Sequence, residues 1–240
     1  MSDARKIARL WLGMTIVLAA NAFAQTRPVG ITHVTVLDLE QGKRLRDQTV
    51  VVEAERITTI GPSSQVRVPD GYGIIDGRGK FIIPGFIASI APMESVKSLS
   101  SFLGNGVTTV VASTERTRGK ADTMRPLGGA SPEPRVNVSD KAGATVAIAA
   151  APSIHDSLEA LVRRGSSTER VLRSVTVDAA RTLGLQKELG AVAVSKLADF
   201  LLLDANPLDD IRHTRRISAI IMNGRFIDGS ELARLAATRP

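Results

Sequence analysis

The side chains that could support metal or nucleophilic catalysis are few in this sequence and stand far apart. There is no cysteine, which excludes disulfides, thiolate metal sites and cysteine nucleophiles together. The three histidines are His33, His155 and His213. A hydrolytic metal site needs several His, Asp or Lys ligands that converge on one or two cations and acidify a bound water. The spacing of these residues therefore shows no clustered ligand set.

His155 is the histidine with the best case for a functional role, because Asp156 stands beside it. Adjacent residues on a helix point about 100° apart, however, and make a poor chelating pair. His33 lies in a predicted strand and is interpreted as an edge or surface residue, and His213 as a solvated turn residue in the segment RHTRR. Three further residues are interpreted as surface or helix-capping groups: Lys120, Lys141 and Ser153.

Residues 1–24 have the features of a signal peptide. A positively charged start precedes an apolar core at residues 10–20, and Ala22-Phe23-Ala24 has the small-x-small pattern that signal peptidase accepts. The core is too short for a comfortable membrane span, which takes about 20 residues, although an uncleaved N-terminal anchor stays the alternative. We expect an exported protein, periplasmic or secreted, without membrane association after cleavage.

The chain is basic, with a formal net charge of +7, and its cations are spread along the sequence. Proteins that bind nucleic acid interleave such charge with aromatic side chains on which bases stack. Aromatic residues make up only 3% of this chain. We therefore interpret the basic surplus as a solvated surface and expect no nucleic-acid partner.

Strands are predicted at both ends of the chain, where β-branched residues alternate between turn dipeptides. The N-terminal strands are expected at residues 29–37, 48–60, 73–75 and 80–83, with a polar turn at 41–47, and the C-terminal ones at 197–203, 217–222 and 225–227. Asn223-Gly224 is a hairpin dipeptide between the last two strands.

The middle of the chain has the pattern of parallel βαβ units. Its predicted elements are a strand at 86–91, a helix at 94–104, a strand at 107–112, a strand at 144–151, and helices at 154–164 and 167–183, the last capped by Ser166. Residues 113–143 are polar, rich in Gly and Pro, and are interpreted as a long loop or partly disordered insert.

Three segments resemble the amidohydrolase superfamily, and particularly its imidazolonepropionase-like branch. The run IIDGRGKFIIPGFIAS (residues 74–89) is similar to the family's entry into its barrel, and GNGVTTVVAS (104–113) to its second barrel strand. The run that begins SVTVDAARTLGL and ends IIMNGRFID (174–228) looks like the family's C-terminal segment.

The resemblance implies an α/β fold in which both β-rich ends form a composite β-sandwich beside a (β/α)8 TIM barrel. A complete barrel takes about 250 residues, so we predict a truncated barrel remnant, ordered eighth–first–second, with an exposed apolar face. The predicted domains are a signal peptide at 1–24, the composite sandwich at 25–83 and 196–229, the partial barrel at 84–195 with loop 113–143, and a C-terminal helix at 230–240.

The resemblance also locates metal ligands that this chain lacks. The family's H-x-H pair, in a sequence like GLIDSHVHL, corresponds to GFIASIAPM, where Ile90 and Pro92 replace the histidines and Ala88 replaces the preceding acid. The family's Asp on the eighth strand has no counterpart in residues 146–152 (VAIAAAP), and the other ligands fall in the missing segment. His155 is the only histidine expected near the former site. We assign no catalytic and no metal-binding residue, and expect none of the zinc or other divalent metal that the family uses.

The leading hypothesis is an exported amidohydrolase-like protein that is catalytically inactive, a pseudoenzyme acting as a partner or structural subunit. Its exposed barrel strands would support self-association or bind a protein partner. The alternative is a divergent metal-dependent amidohydrolase that acts on amide (C–N) or ester bonds, with ligands completed by another protein. A third reading is a decayed gene product without a selected role.

The cleavage pattern makes one direct prediction. Mature protein recovered from the export compartment should begin at Gln25, because Ala22-Phe23-Ala24 supplies the small residues that the peptidase needs. N-terminal sequencing checks this, and a chain that still begins at Met1 would show that the segment is retained.

Overall fold

This computed structural model describes residues 28–90, 99–113, 132–139 and 154–237. The signal peptide, the predicted strand at 144–151, and Pro92, Lys120, Lys141 and Ser153 lie outside these ranges. The described strands are β1 Val29–Asp38, β2 Lys43–Glu53, β3 Arg56–Pro62, β4 Gly73–Asp76, β5 Phe81–Pro84, β6 Phe86–Ile90, β7 Val107–Ser113, β8 Arg135–Ser139, β9 Phe200–Leu203, β10 Ile217–Met222 and β11 Arg225–Asp228. The described helices are α1 Ser100–Gly104, α2 Ile154–Arg163, α3 Thr168–Ser174, α4 Val177–Thr182, a 3₁₀ helix at Ile211–Arg215 and α5 Gly229–Ala237.

The N-terminal strands form antiparallel hairpins, but their boundaries differ from the predicted ones. The predicted strand at 48–60 is divided between β2 and β3 by a tight turn in which Glu53 pairs with Arg56 and Ala54 has a φ of 50°. The residues at 43–47, predicted as a turn, belong to β2, and residues 43–45 pair with β1. The sequence around Ala54 contains no Gly, Pro or Asn, so it carries none of the usual turn signals.

One sheet of eight strands contains the strands of both chain ends. Its order is β11-β10-β9-β5-β1-β2-β3, with β4 also paired to β1. The junction is β5, which runs parallel to β1 and antiparallel to β9. The residues before β9 return to β3 on the far side, where Ile57 N–H donates to the Lys196 carbonyl at 3.0 Å and Ala198 N–H to the Glu55 carbonyl at 2.8 Å. The chain therefore nearly closes the sheet on itself.

The apolar core inside this sheet also draws on both ends. The N-terminal contribution comes mainly from β1 and β2, with one residue each from β3 and β5, and the C-terminal contribution comes from β9, β10 and the residue Ala198. The buried members are Val29, Ile31, Val34, Val36, Val50, Val52, Ile57, Ile82, Ala198, Phe200, Leu202, Ala219 and Ile221. Neither end carries enough of these side chains to close such a core alone.

A second sheet is built from three parallel strands in the order β6-β7-β8. The prediction of strands at 86–91 and 107–112 is confirmed. The prediction of a loop throughout 113–143 is wrong at residues 135–139, which form β8 beside β7. This strand was missed because Arg135 and Asn137 alternate with valines, a pattern that resembles a solvated segment although both polar residues are buried.

The helical segment predicted at 167–183 is divided into α3 and α4. Val175 lies at the division, and its carbonyl accepts a hydrogen bond from the Ile87 N–H of β6 at 2.7 Å. A carbonyl committed to a strand edge cannot continue a helical ladder, so this tertiary contact accounts for the break. The N-cap of α3 is Ser167, whose hydroxyl accepts from the Arg170 N–H at 3.3 Å, and not the predicted Ser166.

The apolar face predicted to be exposed on β6 and β7 is covered by the chain itself. Phe86, Ala88 and Val110 are 0% exposed and belong to the largest apolar cluster, which includes residues of α1, α2, α3 and α5. Ile87 and Val111 lie in another cluster, with α4. The expected exposure is therefore wrong for these described side chains.

The mixed α/β class is confirmed. The finer description, a β-sandwich beside a barrel remnant with the boundaries given above, stays a prediction. None of the helices in the described ranges is long and apolar enough to cross a membrane.

The shared core makes a prediction that a matched pair of phenylalanines can test. Phe200 of β9 is 0% exposed inside the eight-stranded sheet, whereas Phe226 of β11 is 39% exposed. Phe200→Ala should lower the free energy of unfolding by about 3–5 kcal/mol, since it leaves a cavity among residues from both chain ends. Phe226→Ala should lower it by less than about 1 kcal/mol. Urea unfolding measures both, and equal losses would contradict the shared core.

Candidate functional site

The edge where a parallel sheet of this kind places catalytic groups is formed by the carboxyl ends of β6, β7 and β8. The three strands end at Ile90, Ser113 and Ser139. Their last residues lie side by side, because Ile90 pairs with Ala112 and Ser113 with Ser139. This edge is therefore the expected location of a metal centre in the family that the sequence resembles.

Ala88 stands where the family carries the acid before its H-x-H pair. It is 0% exposed and pairs through the backbone with Val110, which pairs in turn with Val136. All three side chains belong to one apolar cluster. A carboxylate at this position would lack water and a partner, which costs several kcal/mol. The position therefore suits an apolar side chain and does not fit a group that approaches a divalent cation.

The opposite face of the same three strands is more polar. Ser89, Thr109, Arg135 and Asn137 alternate with the apolar residues, and each is at most 5% exposed. Ser89 has a partner elsewhere in the chain, whereas the Thr109 hydroxyl has no hydrogen-bond partner among the described residues. These side chains include no imidazole and no carboxylate, the usual ligands of zinc in hydrolases.

The strongest electrostatic contact on this face joins the two sheets. The Nε of Arg135 donates to Oδ2 of Asp199 at 2.7 Å, and the side chains are 4% and 1% exposed. Nη2 also reaches the more exposed carboxylate of Glu55 at 3.3 Å. Burial raises the pKa of Asp199 above its ordinary value, and the charge of Arg135 opposes that rise.

The ion pair lies away from the edge where catalysis would be expected. Arg135 is the first residue of β8, and Asp199 directly precedes β9, so the pair sits at the amino end of the parallel strands. We interpret the ion pair as a structural contact that holds the two sheets together. Sequence reasoning missed it, although an acid inside the apolar run LADFLLL signals a buried cation partner.

His155 is buried at the same amino end, and not at the expected site. It is 3% exposed, and its ring meets that of Phe86, the first residue of β6, edge-on with centroids 6.1 Å apart. Its Nδ1 lies 3.0 Å from the hydroxyl of Thr214. Because that hydroxyl donates its only proton to the Ile211 carbonyl at 2.7 Å, Nδ1 of His155 must carry the proton in this contact.

The neighbouring acid is not available to assist His155. Asp156 contacts the guanidinium of Arg215 at 2.6 Å, and Arg215 also binds Glu159 at 2.8 Å. The ring of His155 therefore serves as a packing and hydrogen-bonding group between α2, β6 and the 3₁₀ helix. The expectation that it lies near the former site is wrong, because α2 packs its first turn against the beginning of β6.

The other two histidines are likewise held in structural contacts. His33 occupies a bulge in β1 with a φ of 57°, and its Nδ1 lies 2.7 Å from Oδ1 of Asp47. The Nδ1 of His213 lies 2.8 Å from the carbonyl of Asn206 within the 3₁₀ helix and its preceding loop. His213 is half-buried there and less solvated than predicted. Across the four described ranges, no three His, Asp or Glu residues are grouped so that they could hold a metal.

The burial of His155 predicts a specific acid sensitivity. Burial first, and then the charge of Arg215, lowers the pKa of His155 to about 4 in the folded protein, against the opposing effect of Asp156. The unfolded chain, with a pKa of about 6.5, takes up the proton first. The stability from this group is therefore complete above about pH 6.5 and is lost as the pH falls toward 4, by on the order of 3 kcal/mol.

The comparison of wild type with His155→Leu isolates this contribution, because the carboxylates are common to both proteins. The free energy of unfolding of wild type in urea, relative to that of His155→Leu, should fall by on the order of 3 kcal/mol between about pH 7 and pH 4. A difference that does not change with pH would show that the ring is solvated in the folded state.

Several solved structures share this fold. A protein from Bifidobacterium longum assigned as a prolidase aligns over 88% of this chain and 98% of its own, with a TM-score of 0.66 and 16% identity. Molinate hydrolase aligns over 89% and 98%, with a TM-score of 0.63 and 14% identity. A β-aspartyl dipeptidase from Fervidobacterium islandicum aligns over 84% and 97%, with a TM-score of 0.54 and 12% identity. Identities this low establish a common fold and nothing about substrate.

The sequence comparison agrees with the fold. No curated protein sequence matches this chain. The profile described as the amidohydrolase family matches residues 137–227, which run from β8 through the helices to β11. Residues 137–227 therefore match the amidohydrolase family, and the fold of the chain resembles that of the solved structures named above.

Proposed function

We propose that this protein is an exported member of the superfamily that has lost hydrolytic activity and acts as a structural subunit or binding partner. Export is inferred from the charged start, apolar core and Ala22-Phe23-Ala24 motif of residues 1–24. Loss of activity is inferred from the side chains at the edge of the parallel sheet. The partner role follows from the loss of chemistry in a chain whose packed core is retained.

The single observation that carries the proposal is the environment of Ala88. The family's acid is replaced by a methyl group that packs against valines of β7 and β8. Ile90, two residues further on, is aliphatic, and Pro92 has no side-chain lone pair. The sequence positions that hold the acid and the histidine pair in the family are thus all apolar in this chain, and apolar side chains cannot ligate a metal.

The partner role needs a surface, and the apolar faces of β6 and β7 do not supply one because the chain covers them. The edge of the sheet supports the role better. Within the described ranges β8 pairs with β7 alone, and we propose that its other side binds a further strand through backbone hydrogen bonds. We infer self-association or a protein partner at this edge.

The alternative, a divergent metal-dependent amidohydrolase acting on amide or ester bonds, draws support from the named hydrolases that share the fold, molinate hydrolase and phenylurea hydrolase B. It would require ligands from outside the described residues or from another protein. No contact among the described side chains favours it, so it serves as the contrary outcome of the test below.

The purified protein should contain no stoichiometric zinc or other divalent metal, and should hydrolyse no amide, lactam or ester above background. Elemental analysis and a substrate panel on natively purified mature protein measure both properties. Ile90→His combined with Pro92→His should leave both results unchanged, because two ligands hold zinc poorly without the remaining set.

The opposite outcome is equally specific. About one metal per chain, lost together with activity on chelation and restored by metal, would establish the divergent hydrolase. Light scattering on the same sample tests the partner role, since a monomer that co-purifies with no other protein would remove it.

A further inference from the structure

A cleft of about 330 Å³ lies between the β1–β2 turn, the start of α3 and the loop after β9. Asp38, Leu39 and Lys43 belong to its first wall, Glu169 to its second and Leu208 to its third. This volume is at the lower end of the range for small-molecule sites, about 300–1,000 Å³. The cleft shares none of these lining residues with the sheet edge described above and is therefore a separate candidate site.

The first wall of the cleft is held in place by hydrogen bonds. The carboxylate of Asp38 accepts from the backbone N–H groups of Glu40 at 3.0 Å and Gln41 at 2.9 Å. Arg173 of α3 donates to the carbonyls of Leu39 and Glu40, and Arg181 of α4 binds the Glu40 carboxylate at 3.1 Å. The turn is therefore fixed to the helices, and the cleft is formed before any ligand arrives.

Two opposite charges in the cleft are not neutralised by neighbours. The ammonium of Lys43 has one partner among the described residues, the neutral side chain of Gln41 at 2.8 Å. The carboxylate of Glu169 has no hydrogen bond or ion pair there. By contrast, Arg44 on the rim contacts Asp209 at 3.3 Å. The cleft thus presents one uncommitted cation and one uncommitted anion.

Two leucines also line the cleft. Leu39 is 2% exposed, and Leu208 is half-buried on the third wall. A ligand that complements all three features carries a carboxylate, an ammonium and a small apolar group. We propose that this cleft binds a free α-amino acid with an aliphatic side chain, its carboxylate at Lys43 and its ammonium at Glu169.

The experiment uses three probes that differ by one charge. L-Leucine carries both groups, 4-methylpentanoic acid lacks the ammonium, and 3-methylbutylamine lacks the carboxylate. Amide chemical-shift changes of the mature protein at millimolar ligand should appear with leucine at residues of the β1–β2 turn and the start of α3. Each half-ligand should bind about tenfold or more weakly, the loss expected for one charge-assisted hydrogen bond.

Matched variants assign the contacts. Lys43→Gln and Glu169→Gln should each weaken leucine binding about tenfold or more, whereas Arg46→Gln, which removes a cation from the same strand outside the cleft, should not change it.

Gly42→Asn tests whether leucine occupies the space beside Gly42 in the cleft. A Cβ on Gly42 would lie 3.3 Å from Oε1 of Glu169, and Asn tolerates the φ of +66° at this position. This variant should fill the cleft and abolish binding without unfolding the turn.

Three results would overturn the proposal. Leucine could cause no shifts at millimolar concentration, the half-ligands could bind as well as leucine, or Lys43→Gln and Glu169→Gln could bind leucine like wild type. Melting curves of the variants accompany the titrations, and both Gln substitutions are at exposed positions, so an effect on binding is separable from an effect on folding.

Discussion

The pairing of β5 with β9 is the contact on which the remaining structure depends. It places Ile82 opposite Leu202 and Ile83 opposite Leu201. The first pair faces the core inside the eight-stranded sheet, and the second faces the helices and the parallel strands. Because side chains alternate along a strand, a shift by one residue would exchange the two faces. One short ladder therefore sets the register of both apolar cores at once.

Much of the local structure was predictable from the sequence, because local signals and tertiary contacts agree. Strand β10 was predicted at its observed bounds, and the Asn223-Gly224 turn has the positive φ values, 53° and 69°, that the dipeptide favours. The predictions fail where a contact between residues distant in sequence determines the secondary structure. The predicted 167–183 helix is interrupted because the Val175 carbonyl accepts a hydrogen bond from β6. Strand β8 is stabilised because Arg135 forms an ion pair with the buried Asp199. Neither partner is visible in a local window of sequence.

The candidate site likewise has features that the sequence predicts and features that only the folded structure shows. The side-chain types at 88, 90 and 92 could be judged from the sequence, since an aliphatic residue or proline offers a metal no side-chain lone pair. The burial of Ala88 adds that the space is already filled. The position of His155 could not be predicted, because only the packing of α2 decides which end of the sheet it meets. The ion pair between Arg135 and Asp199 could not be predicted either, because folding brings the two residues together. Removal of one partner would leave an unpaired buried charge and lower the free energy of unfolding by about 3–5 kcal/mol.

The position of β5 between strands from opposite ends of the chain has a kinetic consequence. The hairpins β1–β2 and β2–β3 can form from neighbouring residues, but the sheet is incomplete until residues 200–203 have been synthesised. Folds dominated by such non-local pairing fold slowly, since the entropy of closing a long loop is lost before the contacts form. Under the export that we propose, slow folding would favour passage across the membrane before the sheet forms. Until the sheet is complete, its unpaired strand edges are exposed and prone to aggregate.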